Sequence, residues 1–284
     1  MKDLLRGAGK IGTLPVTSAR RTCLPYLPAL LSVDIILLSY LLLAAAGFIA
    51  GIMNSVAGGG TFLTFPALVF TGVPSVVANA SNAVALFPAS LAAAWAYRSD
   101  FRHFEGVSFK AMIAVSLVGG IAGALLLVYT PEQTFDSLVP WLLLAATLIF
   151  SFGPKIVPRL RTWFSIGPVT LLAIQFAVGI YGGYFGGAMG IVMLAVYSLF
   201  GLTDLNTMNA TKTLMSGLIN GISLLVFVGA GKIVWPQTLT ILVAAIIGGY
   251  LGARVARRMD PQHVRMGIIA IASTVTVVFF LKSA

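Results

Sequence analysis

Long apolar stretches broken by short polar intervals run through almost the whole chain, and their lengths predict membrane helices. About 20 apolar residues cross roughly 30 Å of hydrocarbon as a helix. Runs near that length cover residues 35–52, 79–97, 111–129, 138–152, 169 into the glycines near 182, 205–228, the segment bearing Gly248, and 267–281. The piece 61–70 is too short to span alone, and a similar short piece ends at Phe200 and Gly201. Each short piece follows a glycine cluster: Gly58, Gly59, Gly60 and Thr61 in the first case, and Gly182, Gly183, Tyr184, Gly186, Gly187 and Gly190 in the second. About twenty residues after each cluster comes a polar tetrad, Asn79-Ala80-Ser81-Asn82 and Asn209-Ala210-Thr211-Lys212. Gly60 and Gly190, like Asn79 and Asn209, are offset by 130 positions. The chain is therefore predicted to be an all-α polytopic membrane protein with about 8–10 transmembrane or re-entrant helices in two internal repeats. The expected division is a basic leader (1–33), a first repeat (34–153), a basic connecting loop (154–165) and a second repeat (166–284).

Composition agrees with this pattern. Of 284 residues, 58% are apolar and only 9% charged, and the mean hydropathy is +0.99, far outside the range of soluble domains. Cys23, the only cysteine, excludes an internal disulfide and a cysteine-based metal site. A net charge of +10 raises the question of nucleic acid, but the basic residues are scattered over loops and termini, as the positive-inside rule demands of a membrane protein. The expected surroundings are a lipid bilayer and no nucleic acid, with the oligomeric state left open.

Loop charge also predicts topology. The basic loops at 98–110, 153–161 and 254–265 are expected in the cytoplasm and 129–136 outside, which implies an odd number of crossings per repeat and so inverted halves. The leader, with Lys2, Arg6, Lys10, Arg20 and Arg21 against Asp3, is expected in the cytoplasm. That placement requires the piece 61–70 to re-enter the membrane and not cross it.

The candidate chemistry is concentrated at the two breaks. All eight acidic residues fall in predicted loops or at segment ends, whereas Lys212 lies inside an apolar segment. A lysine near mid-bilayer costs about 3 kcal/mol on insertion scales and must face protein or water. With no acid near it in sequence, its expected partner is a diffusible anion. Asn209, Lys212, Ser216 and Asn220 are spaced three, four and four residues apart, which puts them on one helix face. Broken helices also offer free backbone N–H groups and positive dipole ends. The expected substrate-binding set is Asn54, Gly58, Gly59, Gly60, Thr61, Asn79, Ser81, Asn82, Tyr184, Gly186, Gly187, Gly190, Asn209, Thr211 and Lys212. Two further glycine runs, Gly119 to Ala124 and Gly248 to Ala253, have the spacing of close helix packing. Hydrolase, nucleotide and metalloenzyme motifs are missing: His103 and His263, the only histidines, lie in predicted loops, and neither HExxH nor GxSxG occurs. No catalytic residue, metal or cofactor is expected.

At these residues the sequence resembles the sulfite exporter TauE/SafE (TSUP) family. The resemblance rests on Gly47 through Gly60 leading to Pro66, Gly72 and Asn79 to Asn82, on Tyr181 through Gly190 leading to Asn209 to Lys212, and on Gly248 to Arg254. It implies a multi-pass transporter of the bacterial inner membrane for a small sulfur-containing anion such as sulfite, a sulfonate or sulfoacetate. A membrane-integral scaffold or an anion channel is the alternative expectation.

Overall fold

The computed structural model describes residues 27–283 apart from 57, 103, 105, 164 and 256–260. The basic residues of the leader, and His103, Arg257 and Arg258, lie outside the described residues. The described chain forms ten helices: α1 (Leu27–Val56), α2 (Thr61–Phe70), α3 (Ser75–Ala96), α4 (Phe109–Tyr129), α5 (Glu132–Trp163), α6 (Pro168–Tyr184), α7 (Met189–Leu199), α8 (Leu205–Gly229), α9 (Trp235–Val255) and α10 (Pro261–Ser283). Six of them carry stretches long and apolar enough to cross a membrane, within α1, α3, α4, α5, α8 and α9. The shorter apolar helices include α2, α6 and α7.

Most expected spans sit where the apolar pattern put them, and α2 coincides with the predicted short piece. Three helices extend further. α1 starts at Leu27 and takes in Asp34 ahead of its apolar span Ile36–Ser55. α10 starts at Pro261. α5 continues to Trp163, so Lys155, Arg159 and Arg161, expected in a loop, stand exposed on its last turns. Apolar content marks where a helix enters hydrocarbon and not where its backbone ladder stops, and basic residues are favourable at the negative C-terminal end.

The chain divides into two compact units, Met1–Ser39 and Tyr40–Ala284. The first contributes to the described residues only the opening turns of α1, where Ile36, Leu37 and Leu38 are exposed. The helices pack on one another within the second unit.

Glycine decides which helices touch there. A Cβ on Gly123 of α4 would stand 2.0 Å from the Ile180 carbonyl oxygen of α6, and one on Gly119 would stand 2.5 Å from that of Phe176. Likewise a Cβ on Gly51 of α1 would lie 2.3 Å from the Ala245 oxygen of α9, and one on Gly248 would lie 2.0 Å from that of Phe48. Backbones this close admit no side chain, which is the use of small residues in membrane helix pairs. The register of these contacts makes α4 parallel to α6 and α1 parallel to α9. The late glycine-rich helix of each half thus packs on the opening helix of the other.

The equivalent helices α3 and α8 run antiparallel, with Leu91 beside Gly217 and Phe87 beside Gly221. α5 and α10 are also antiparallel: Trp141 stacks edge-on with Phe280 at 5.2 Å, and the Thr147 and Thr276 hydroxyls are 3.1 Å apart. At one face the α6 and α7 ends meet, where the Ile166 N–H donates to the Leu199 carbonyl (3.4 Å). The start of α8 joins them, with the Thr207 hydroxyl on the Asp100 carbonyl (2.9 Å). Asp204 caps α8 by accepting from the N–H groups of Asn206 (3.1 Å) and Thr207 (3.3 Å). The Thr207 hydroxyl and the Asn206 N–H hold the Asp204 carboxyl below the usual carboxylate range. Arg98, Arg102, Lys110, Lys155, Arg159 and Arg161 belong to this face. At the opposite face Glu132 opens α5 and accepts from the Val76 N–H at the start of α3 (2.8 Å).

Candidate functional site

Each half contains a helix that stops inside the protein and turns back. α1 ends at Val56, and Gly58 (φ 83°) and Gly59 (φ 96°) reverse the chain into α2. α6 ends at Tyr184, and Gly186 (φ 75°) and Ala188 (φ 57°) reverse it into α7. Ala188 occupies the place of Gly58 at the 130-residue offset. A left-handed alanine costs roughly 1–2 kcal/mol, so the surrounding packing enforces this turn. The two turns meet. The nearest neighbour of a Cβ built on Gly58 is Gly190 Cα at 3.8 Å, and Asn79 Nδ2 donates to the Tyr184 carbonyl at 2.7 Å.

Between the turns lies a cavity of about 40 Å³, room for a few waters or a small polyatomic ion at the roughly 10–15 Å³ an enclosed water takes. Its walls come from both turns and from facing stripes of α3 and α8. Thr61 starts α2 and Met189 starts α7, and both line the cavity. The positive ends of two helix dipoles are therefore directed at it. Lys212 is 2% exposed and is the single charged side chain of the lining. Its stem packs on Gly190, where a Cβ would come 3.1 Å from Lys212 Cδ. Its ammonium donates to Asn209 Oδ1 at 3.0 Å, a neutral partner that leaves the positive charge uncompensated.

The expected site residues divide in two. Asn54, Gly58, Gly59, Thr61, Asn79, Asn82, Gly186, Gly190 and Lys212 line the cavity. The others do not line it and have structural partners close by. The Gly60 N–H donates to Asn54 Oδ1 (2.8 Å), and the Gly187 carbonyl accepts from the Tyr181 hydroxyl (2.5 Å). Ser81 Oγ accepts from the Val234 N–H (3.0 Å), tying α3 to the start of α9. The Thr211 hydroxyl donates to the Thr207 carbonyl in its own helix (3.0 Å). Tyr184 offers its carbonyl to Asn79 while its ring packs edge-on to Phe135 at 5.7 Å, and Asn209 Oδ1 accepts from the Lys212 ammonium. The cavity also takes in Leu86, Ser90, Thr213, Ser216 and Asn220. Ser216 and Asn220 belong to the α8 stripe of Asn209 and Lys212. Leu86 and Ser90 are its counterparts on α3, since 79, 82, 86 and 90 repeat 209, 212, 216 and 220 at the same offset.

A second, wider cavity opens at the face that carries Glu132. It holds about 600 Å³ and is lined by Val69, Ser75, Glu132, Asp136, Phe279 and Lys282, among others. An aromatic wall stands between the two cavities. Phe185 lines the inner one and meets Phe65 edge-on at 5.8 Å, and Phe65 stacks at 5.8 Å on Phe279, which lines the outer one. Phe135 closes on Phe65 from the side at 6.5 Å. Phe65 is fully buried.

Comparison with known proteins agrees with this architecture. The family model described as sulfite exporter TauE/SafE matches residues 43–279. The chain is 30% identical over 250 residues to "Probable membrane transporter protein YfcA" of Escherichia coli K12, covering 86% of this chain and 91% of that protein. It is 27% identical over 237 residues to a "Probable membrane transporter protein" of Haemophilus influenzae, with 83% and 92% covered. It is 24% identical over 262 residues to "Probable membrane transporter protein YunE" of Bacillus subtilis, with 81% and 93% covered. A match across nearly the whole membrane part, joined to apolar helices that turn back around a buried polar cavity, means that the chain belongs to the sulfite exporter TauE/SafE family of multi-pass membrane transporters.

Proposed function

We propose that the protein carries a small sulfur-containing anion, of the class of sulfite, sulfonates or sulfoacetate, across the bacterial inner membrane. The observation that carries this reading is Lys212: a buried ammonium in a cavity with no acidic lining, hydrogen-bonded to a neutral amide. A buried unpaired charge is expensive, and an anion held by the ammonium and two helix N-termini offsets that cost. The description of the family supports sulfur as the element at the centre of the anion. The halves act as an inverted repeat around the site, so that rocking one against the other exposes the cavity to each face in turn. The wall of Phe185, Phe65 and Phe279 favours alternating access over an open channel, because a conducting pore needs a continuous path.

Uptake into vesicles reconstituted with purified protein tests the proposal, with sulfite, thiosulfate, sulfoacetate and taurine supplied separately. Saturable accumulation of at least one of the four above protein-free vesicles is expected. Accumulation of none would sink the substrate class.

The face bearing Arg98, Arg102, Lys155 and Arg159 is assigned to the cytoplasm by its basic excess; α1 runs parallel to α9 and so enters from the face of Glu132, which sets this assignment against the expectation of a cytoplasmic leader. In whole cells carrying a Cys23→Ser background, an impermeant thiol reagent is expected to label Gln133→Cys and to spare Arg102→Cys. The reverse pattern would invert the orientation.

A further inference from the structure

Asn79 and Asn209 hold equivalent places in the two halves, yet their side-chain carbonyls differ. Asn209 Oδ1 accepts from the Lys212 ammonium three residues further along the helix. The equivalent neighbour of Asn79 is Asn82, which also lines the cavity but is held by α2: its Oδ1 accepts from the Thr64 hydroxyl, and its Nδ2 donates to Thr61 Oγ1 at 3.3 Å. Asn79 lines the cavity and is 2% exposed, and among the described residues nothing donates to its Oδ1. The orientation of the amide is fixed, because a flip would set Oδ1 against the Tyr184 carbonyl that Nδ2 now meets at 2.7 Å. A buried acceptor without a donor is destabilising, and native interiors rarely keep one without a role.

We infer that the cargo of this cavity is an anion that also carries a hydrogen-bond donor, the negative group meeting Lys212 and the donor meeting Asn79 Oδ1. Both residues line the same cavity, so a single occupant completes both. The inference rests on the anion reading above and narrows it: an oxyanion bearing a hydroxyl, an ammonium or an acidic proton is accepted, and the same anion with a methyl group at that place is discriminated against. A site built around a polar group rejects the analogue that lacks it, because the buried partner is then left unpaired.

The test compares 2-hydroxyethanesulfonate with 1-propanesulfonate, which have the same charge and differ by a hydroxyl in place of a methyl group. Binding of each to the purified full-length protein is measured by calorimetry at fixed salt. The hydroxyl compound is expected to bind about tenfold more tightly, and Asn79→Leu is expected to abolish that preference. The preference is read on the unaltered protein, so it does not depend on the variant folding. Equal affinities, both lost in Lys212→Ala, would overturn the donor requirement and leave the anion site standing. Affinities unchanged in Lys212→Ala, or binding of neither compound, would overturn both. A preference that persists in folded Asn79→Leu would remove Asn79 from the role.

Discussion

Lys212→Ala is expected to abolish anion transport while leaving the protein inserted and folded. The ammonium is the single charge in the cavity wall, and hydrogen bonds to a charged group contribute about 1.5–3 kcal/mol, so affinity should fall by roughly 10- to 150-fold even if only one such bond is lost. Removing a buried cation also removes its insertion cost, and membrane yield should hold or rise. Lys212→Arg keeps the charge, but its planar fork must fit where the lysine stem lies against Gly190, so partial transport is expected. Initial rates in vesicles, normalised to folded protein, provide the measurement. A well-folded alanine variant that transports at the native rate would remove Lys212 from the site, and a snorkelling lysine would be the better account.

The second large effect contrasts two kinds of glycine. Gly190→Leu is expected to eliminate transport with folded protein retained. A Cβ there meets only the flexible stem of Lys212, at 3.1 Å or more, and a leucine side chain would fill a space of about 40 Å³. Gly123→Ala is expected to reduce the folded protein itself. Its Cβ would stand 2.0 Å from the Ile180 carbonyl oxygen and 2.8 Å from the Tyr184 nitrogen, so α4 and α6 must separate. Overpacking of this kind costs about 1–3 kcal/mol or more. Thermal stability by tryptophan fluorescence and transport per folded molecule distinguish the two. Transport lost at both positions with unchanged stability would show that the α4–α6 contact is functional and not only structural.

Gly190 and Gly123 both stand in dense glycine runs, and only the run of Gly190 is coupled to a polar tetrad; Gly183 of that same run nevertheless packs on α4, where a Cβ would stand 2.3 Å from the Gly120 carbonyl oxygen. The stripe on α8 was legible from its three-four-four spacing. The matching stripe on α3 was legible only by applying the offset to Leu86 and Ser90, because leucine carries no polar signal. Ser81 and Thr211 look like site residues in the tetrads, but a helix turns 100° per residue, so each faces away from its neighbouring asparagine. Val234 and Thr207 take their bonds.

The sequence by itself determined the class and the places of most helices, because those depend on hydrophobic length and helical period, which are properties of residues in order. Only the tertiary structure decided which groups share the cavity. Asn79 and Asn82 are equally polar on the page, yet α2 brings Thr61 and Thr64 to satisfy Asn82 while the turn at Tyr184 engages only one side of the Asn79 amide. The same holds for the aromatic wall, where Phe65, Phe185 and Phe279 come from α2, the turn after α6 and α10. Their meeting depends on the backbone approaches that glycines permit between the two halves, and no local pattern encodes that.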